Sequence, residues 1–292
     1  MKNWLVALIS LILFSCEKNI NFDLKDAPDV LVVDASIENG HPPVVILNKS
    51  FDFFSTLNPE TLLNSFVHDA IVTISNGAVT SPLKEYSYPI GGGFNVYFYG
   101  IDSANPANAL IGKLNTSYTL QISSEGKDYT ASTTIPLLSK KIDSLFWKPA
   151  PFSDDSSDVV IYLKATDPSG LGNYVRYFTS KNEEPFLPGE NSVFDDQVID
   201  GTTYQFQLDP GIDINNPIPA DSNYFKRGDT VTLKLCNIDK ASYSFWSSWE
   251  FAYQSIGNPF AQPNKVLGNI SNGALGAFYG YGADFKTLVI PK

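Results

Sequence analysis

Ala70-Ile71-Val72-Thr73-Ile74-Ser75, followed by Asn76-Gly77 and a renewed apolar run from Val79, is the stretch that decides the fold. β-Branched residues suit a pleated, half-buried surface, and Asn-Gly accepts the positive φ angles of a type I′ turn, so the stretch reads as a β-hairpin. The same pattern extends both ways. Upstream, Val30 to Ile37 ends in Glu38-Asn39-Gly40 and resumes as Val44 to Leu47, with Pro42-Pro43 predicting an edge position for the second run. Downstream, a strand near Leu83 to Tyr88 breaks at Gly91-Gly92-Gly93, and Phe94 to Tyr99 alternates with a period near two. Asp102 to Ala109 reads as a polar loop. Ser117 to Ser123 and Tyr129 to Ile135, joined at Glu125-Gly126-Lys127, form a last hairpin closing at Pro136. Short strands with turn signals about every ten residues predict an immunoglobulin-like or Greek-key β-sandwich over residues 30–137.

Leu137 to Lys141 marks a boundary, and residues 138–292 read as a second β-rich domain of the sandwich type, so the chain is mainly β. Ile142 to Lys148 is an alternating strand, and Val159 to Asp167 with Asn173 to Ser180 reads as a hairpin turning at Pro168-Ser169-Gly170. Lys181 to Asn191 is polar enough to be a surface excursion. Thr203 to Leu208 and Thr230 to Ile238 are further strands, separated by a long Asp, Asn and Pro insertion, Asp209 to Asn223. Asp239 to Gln254 is the one amphipathic helix: Asp239 or Ser242 can cap it, and Trp246, Trp249 and Tyr253 fall at i, i+3 and i+7 on one face. Ala274 to Gly282 and Thr287 to Ile290 return to strand.

Length and composition bound the rest. At 292 residues the chain exceeds one comfortable core, and two domains of about 110 to 150 residues are expected. A formal net charge of −11 with no basic cluster argues against nucleic acid, whose phosphates require clustered Lys and Arg. Hydrophobic content of 43% supports packed cores and excludes global disorder.

The first sixteen residues carry a different message. Lys2 gives a positive start, Leu5 to Phe14 is an apolar stretch interrupted only by Ser10, and Ser15 is a small residue before Cys16, the order of a secretory signal. A membrane-spanning helix needs about twenty apolar residues, and Glu17-Lys18 ends the run too early. Leu13-Phe14-Ser15-Cys16 resembles the lipobox of bacterial lipoproteins, although Phe14 is bulkier than usual there. That resemblance implies a signal peptide over residues 1–15, a mature chain beginning at an acylated Cys16, and a tether over residues 16–29. With Cys16 acylated, Cys236 stands alone and reads as a buried, unreactive thiol, since it sits within the apolar alternation of Val231 to Ile238.

Taken in order, several segments resemble a family of bacterial lipoproteins catalogued as domain of unknown function 4249. They are the cysteine and tether, Leu31 to Ile37 with Glu38-Asn39-Gly40-His41-Pro42-Pro43, Asp69 to Ile74, and Tyr118-Thr119-Leu120 with Tyr129-Thr130-Ala131. Gly228-Asp229-Thr230-Val231, Ile238-Asp239 and its aromatic helix, Asn258-Pro259-Phe260, and Asn269 to Gly273 through Gly276-Ala277-Phe278 complete the set. The resemblance implies residence in the outer membrane and a common association with TonB-dependent transporters, and it does not by itself imply a catalytic activity. Surface display in that lineage follows a short acidic run after the cysteine, whereas here Glu17-Lys18 is followed by Asn19. The expectation is the cell surface, with the periplasmic face as the other option.

Candidate sites are few. His41 and His68 begin no metal-ligand spacing, and no catalytic or metal residue is assigned. Asp154, Asp155 and Asp158, or Asp195, Asp196 and Asp200, offer oxygen ligands to calcium, but solvated loops are the commoner reading of acidic turns. The aromatic helix face can stack on sugars, dock on a transporter or pack as core, and core is the commoner use of such a stripe. Phe51 to Asn64, carrying Phe51, Phe53 and Phe54, and Asp209 to Asn223 are the loops best placed for recognition. These readings favour a non-enzymatic, lipid-anchored accessory that captures or gates a nutrient for a TonB-dependent transporter, with no cofactor and an unassigned ligand-binding residue set. A carbohydrate- or peptide-acting hydrolase built on two distant carboxylates, and an adhesion or envelope-assembly protein, are the alternatives.

Overall fold

The computed structural model describes residues 29–51, 58–105, 109–213, 223–258, 260–262 and 264–292. The leader, Cys16, nearly all of the tether, Phe53, Phe54 and residues 214–222 of the acidic insertion lie outside the described residues. The elements run β1 (Leu31–Glu38), β2 (Val44–Lys49), α1 (Pro59–Leu63), β3 (Ile71–Ser75), β4 (Thr80–Gly91), β5 (Phe94–Ile101), β6 (Thr116–Ser124), β7 (Lys127–Ile135), β8 (Lys141–Pro149), β9 (Asp158–Thr166), β10 (Tyr174–Lys181), β11 (Leu187–Phe194), β12 (Thr203–Leu208), β13 (Phe225–Lys226), β14 (Thr230–Ile238), α2 (Lys240–Gln254) and β15 (Leu275–Val289).

An 11-stranded sheet has the order β11-β10-β14-β15-β1-β2-β5-β4-β3-β6-β7. It bends at β4, whose first residues pair with β3 (Thr80↔Ser75 to Leu83↔Val72) and whose remainder pairs with β5 (Leu83↔Ile101 to Gly91↔Phe94). One side chain in two points inward along each strand, so Val33, Ala35 and Ile37 of β1 meet Leu120 and Ile122 of β6 and Ile135 of β7 in one core. The bend thus folds the sheet onto itself as a sandwich. At the open side Ser271 N–H donates to the Thr130 carbonyl of β7 at 2.8 Å, just ahead of β15.

The second sandwich sets a four-stranded sheet, β12-β9-β13 with β8 also on β9, against β10, β14 and the end of β15. Val231, Leu233 and Leu235 of β14 face this interior. Cys236 and Ile238 point the other way, toward Phe245 of α2 and Tyr279 and Tyr281 of β15. The second half is therefore layered as sheet, sheet and helix, and the first sandwich is completed by Phe278 from the far end of the chain.

The mainly β architecture and the single long helix agree with the sequence. Several local expectations need correction. Asn76-Gly77 does not form a two-residue type I′ turn, because Ser75 pairs with Thr80 and only Gly77 has positive φ (85°). The Asn76 side chain instead accepts from the Ala78 and Val79 amides, stabilising a four-residue loop. Both central residues of the β6–β7 turn, Glu125 (φ 50°) and Gly126 (φ 74°), adopt the conformation expected at Asn76-Gly77. β2 lies inside the sheet between β1 and β5, since Pro42-Pro43 sits in the preceding turn and costs the strand no donor. β9 and β10 do not pair: the Pro168-Ser169-Gly170 turn crosses between sheets. The second part of the polar excursion begins β11, which runs on to Phe194, and the two terminal runs form one strand, β15.

The chain passes between the halves over a buried ion pair. Lys140 Nζ lies 2.8 Å from Asp167 Oδ1, and both side chains are fully buried. Carboxylate oxygens of Asp167, Asp196 and Asp200 lie within 4.8 Å of one another, so Lys140 offsets a local concentration of negative charge. Lys140→Met is expected to cost about 3–5 kcal/mol, because it leaves Asp167 uncompensated. The double variant Lys140→Met/Asp167→Leu should recover much of the loss, measured as the urea midpoint at constant m-value.

Candidate functional site

The strongest candidate lies on the outer face of β10 and β11, under α2. Val175 and Tyr177 of β10 enter the second sandwich, so Arg176 and Phe178 emerge on the helix side. A charged residue in so apolar a strand needs partners, and Arg176, only 4% exposed, has them. Its Nε donates to Ser192 Oγ at 3.1 Å and its Nη1 to Tyr281 Oη at 2.9 Å. The guanidinium centre sits 3.3 Å from the Trp246 ring centroid and 4.8 Å from that of Phe178. Both rings hold the fork in place by cation–π attraction.

Helix α2 begins where Asp239 accepts the Ser242 amide at 2.8 Å, a standard N-cap bond. Its buried side carries Ser242, Phe245 and Ser248. Trp246, Trp249, Glu250 and Tyr253 then fall at i, i+3, i+4 and i+7 and line a cleft of about 390 Å³ whose other wall is Leu187 to Glu190 of β11. The rings of Trp249 and Tyr253 are nearly parallel, 5° apart with centroids at 5.4 Å. A side chain at Gly189 would not fit this wall, because its Cβ would stand 2.1 Å from Tyr177 Oη.

Glu250 is 8% exposed. Ser192 satisfies it twice: Oγ donates to Oε1 at 2.5 Å, and the amide donates to Oε1 and Oε2 at 3.1 and 3.2 Å. Burial pushes its carboxyl above the ordinary range, opposed in part by the Ser192 bonds and the Arg176 charge. Asp209, near the same wall, is pushed up by burial and then by the charge of Glu190. Trp246 Nε1 is buried with no hydrogen-bond partner among the described residues.

The aromatic stripe is thus neither plain core nor free surface. Phe245 takes the core position, while Trp246 and Trp249 are half-buried and Tyr253 is 39% exposed. From the two described ends of the Asp209 to Asn223 insertion, Ile212, Asp213 and Asn223 line the cleft. The described part of Phe51 to Asn64 lies elsewhere, forming α1, which contacts β5 of the first sandwich. A second cavity of about 380 Å³ lies across β10, inside the second sandwich, and is lined by apolar side chains including Tyr177, Phe194 and Phe206.

Other candidates are accounted for by internal partners. Lys226 Nζ lies 3.0 Å from Asp155 and 2.5 Å from Asp158. Asp196 accepts the Gly172 and Asn173 amides, both at 2.8 Å, and Asp200 accepts that of Gly170 at 2.6 Å. His68 Nδ1 meets Glu85 at 2.5 Å, and His41 stands 4.0 Å from Glu38. Cys236 is fully buried, and burial pushes its thiol up to about 12, as an inert thiol requires. Arg176 and Glu250 went unread in the sequence. The signal was there: a lone Arg between apolar strand residues, and a lone Glu one turn after Trp246.

With this geometry in hand, kinship is direct. The chain belongs to the family described as Domain of unknown function (DUF4249). The family model matches residues 17–287, which include every residue lining the cleft. Comparison with curated proteins gave no match.

A glutamate whose carboxyl is raised in the folded state binds its proton more tightly there than in the unfolded chain. Its linkage contribution makes stability fall as pH climbs from the ordinary value of 4.5 through the raised one. Glu250→Gln should remove that component: the difference in unfolding free energy between parent and variant should change across this window and level off on either side. Urea unfolding at a series of pH values checks the slope.

Proposed function

We propose that this protein is a non-enzymatic capture protein, held to the outer membrane by acyl chains on Cys16 and working beside a TonB-dependent transporter in nutrient uptake. The cleft between α2 and β11 carries the reading. It combines aromatic surface with a guanidinium and a carboxylate fixed in place by one serine, as small-molecule sites do. The leader, the lipobox-like Leu13-Phe14-Ser15-Cys16 and membership of the family support the envelope part of the proposal. Several acyl chains at about 0.8 kcal/mol per buried methylene would make the anchor effectively permanent.

One observation favours a second reading. Glu250 has a raised carboxyl and shares the cleft with Glu190, as a general acid with a carboxylate partner would. Both oxygens of Glu250 are engaged by Ser192, which suits a positioned binding group better than a proton donor that must move. Hydrolysis of a polysaccharide, abolished by Glu250→Gln in a protein that still folds, would place the protein among hydrolases instead.

Cys16→Ser should shift the protein from the outer-membrane fraction to the soluble one. Mild detergent extraction of the parent should co-purify a β-barrel transporter, and recovery of none would overturn the partnership. Mass spectrometry of the mature N-terminus checks the acylation directly.

A further inference from the structure

We infer that the cleft between α2 and β11 takes a neutral saccharide, an inference that rests on the capture reading and narrows it to one ligand class. The first support is the aromatic wall. Trp249 is half-buried and Tyr253 39% exposed, and their nearly parallel rings stack on one another with centroids 5.4 Å apart, so the stack offers the cleft an apolar surface within reach of solvent. The C–H face of a pyranose ring packs on such a surface, burying apolar area on both partners.

The second support is polar geometry. Arg176 and Glu250 both bond Ser192, so a donor fork and an acceptor pair are held side by side by one residue. Arg176 spends Nε on Ser192 and Nη1 on Tyr281, and its Nη2 donates to none of the described residues. Glu250 Oε2 accepts from the Ser192 amide at 3.2 Å, the Val193 amide also bonds the carboxylate, and its two oxygens, with about four lone-pair sites between them, keep acceptor capacity. A hydroxyl group both donates and accepts, so two neighbouring sugar hydroxyls match this pair in a way that a purely anionic or purely cationic ligand does not. Because the groups are fixed before binding, little side-chain entropy remains to be lost.

Charge decides between ligand classes. Among the described lining residues the carboxylates of Glu190 and Glu250 face the guanidinium of Arg176, a balance that disfavours phosphates and uronic acids. A cationic ligand would in turn lie beside Arg176, which already occupies the face of Trp246. A neutral ligand avoids both penalties, and a volume of about 390 Å³ lies within the range of small-molecule sites.

The test uses the full lipoprotein in a detergent without a sugar headgroup, titrated with hexasaccharides of glucose, mannose, galactose and xylose. Calorimetry and tryptophan fluorescence follow binding, with a galacturonate hexasaccharide and spermidine as charged comparators. At least one neutral hexasaccharide should bind, and Trp249→Ala should weaken it about tenfold or more in protein that circular dichroism shows to be folded. Arg176→Lys, which keeps the charge but loses the planar fork, should weaken the same ligand. Binding by none of the neutral sugars, preference for galacturonate or spermidine, or neutral-sugar binding unaffected by Trp249→Ala overturns the inference. Transporter co-purification is scored in parallel. A retained transporter without saccharide binding overturns the ligand class alone, whereas saccharide binding without a transporter overturns the partnership alone.

Discussion

The backbone of β15 is the constraint on which the rest of the molecule depends. Its first half pairs in parallel with β1, from Val32↔Leu275 to Glu38↔Tyr281. Its second half pairs antiparallel with β14, from Asn237↔Gly282 to Thr230↔Val289. One strand thus pairs with β1 of the first sandwich and with β14 of the second, covering the edge that each offers to it. The small residues of this strand have a steric reason. A Cβ on Gly276 would stand 1.9 Å from the Val33 carbonyl oxygen, and one on Gly280 would stand 2.8 Å from that of Thr134. Bulk at these points would push the two halves apart.

Polar side chains then lock the joint that β15 creates. Asp239 caps α2 through one oxygen, and through the other accepts from Thr133 Oγ1 at 2.9 Å and the Thr134 amide at 2.8 Å on β7. Asn237 holds Lys140 at both ends, accepting its amide and donating to its carbonyl, each at 2.9 Å. Lys234 of β14 pairs with Glu38 of β1, and Tyr279 donates to Asp34. Each contact is local, but together they fix the helix to both sandwiches. The cleft inherits that rigidity: one wall is a helix anchored at its first turn, and the other is a strand held in the sheet by β10.

Much of this was legible in the residues, and the failures have physical causes. Alternation marked most strands, and the spacing of Trp246, Trp249 and Tyr253 marked a real face of a real helix. Pairing was less legible, because alternation specifies which side of a strand is apolar and not which neighbour it joins. Val159 to Asp167 and Asn173 to Ser180 look like a hairpin for that reason, although tertiary packing sends them to different sheets. β11 was missed because Pro188, Gly189, Glu190 and Asn191 have poor strand propensity. Its pairing with β10 and the ring of Tyr177 beneath Gly189 outweigh that preference. The site itself rests on two charges inside apolar patterns, and it emerges only when β10, β11 and α2 are brought together.

The shared strand also governs the order in which the molecule can assemble. β1 must wait for a partner some 240 positions later in the chain, as the pairing of Val32 with Leu275 requires. Contacts of such long sequence separation carry a large loop-closure cost and slow the search for the native topology. The N-terminal half therefore stays unsealed beside β1 until β15 arrives, and a chaperone that shields that groove in the meantime would guard the step at which this fold is most exposed to aggregation.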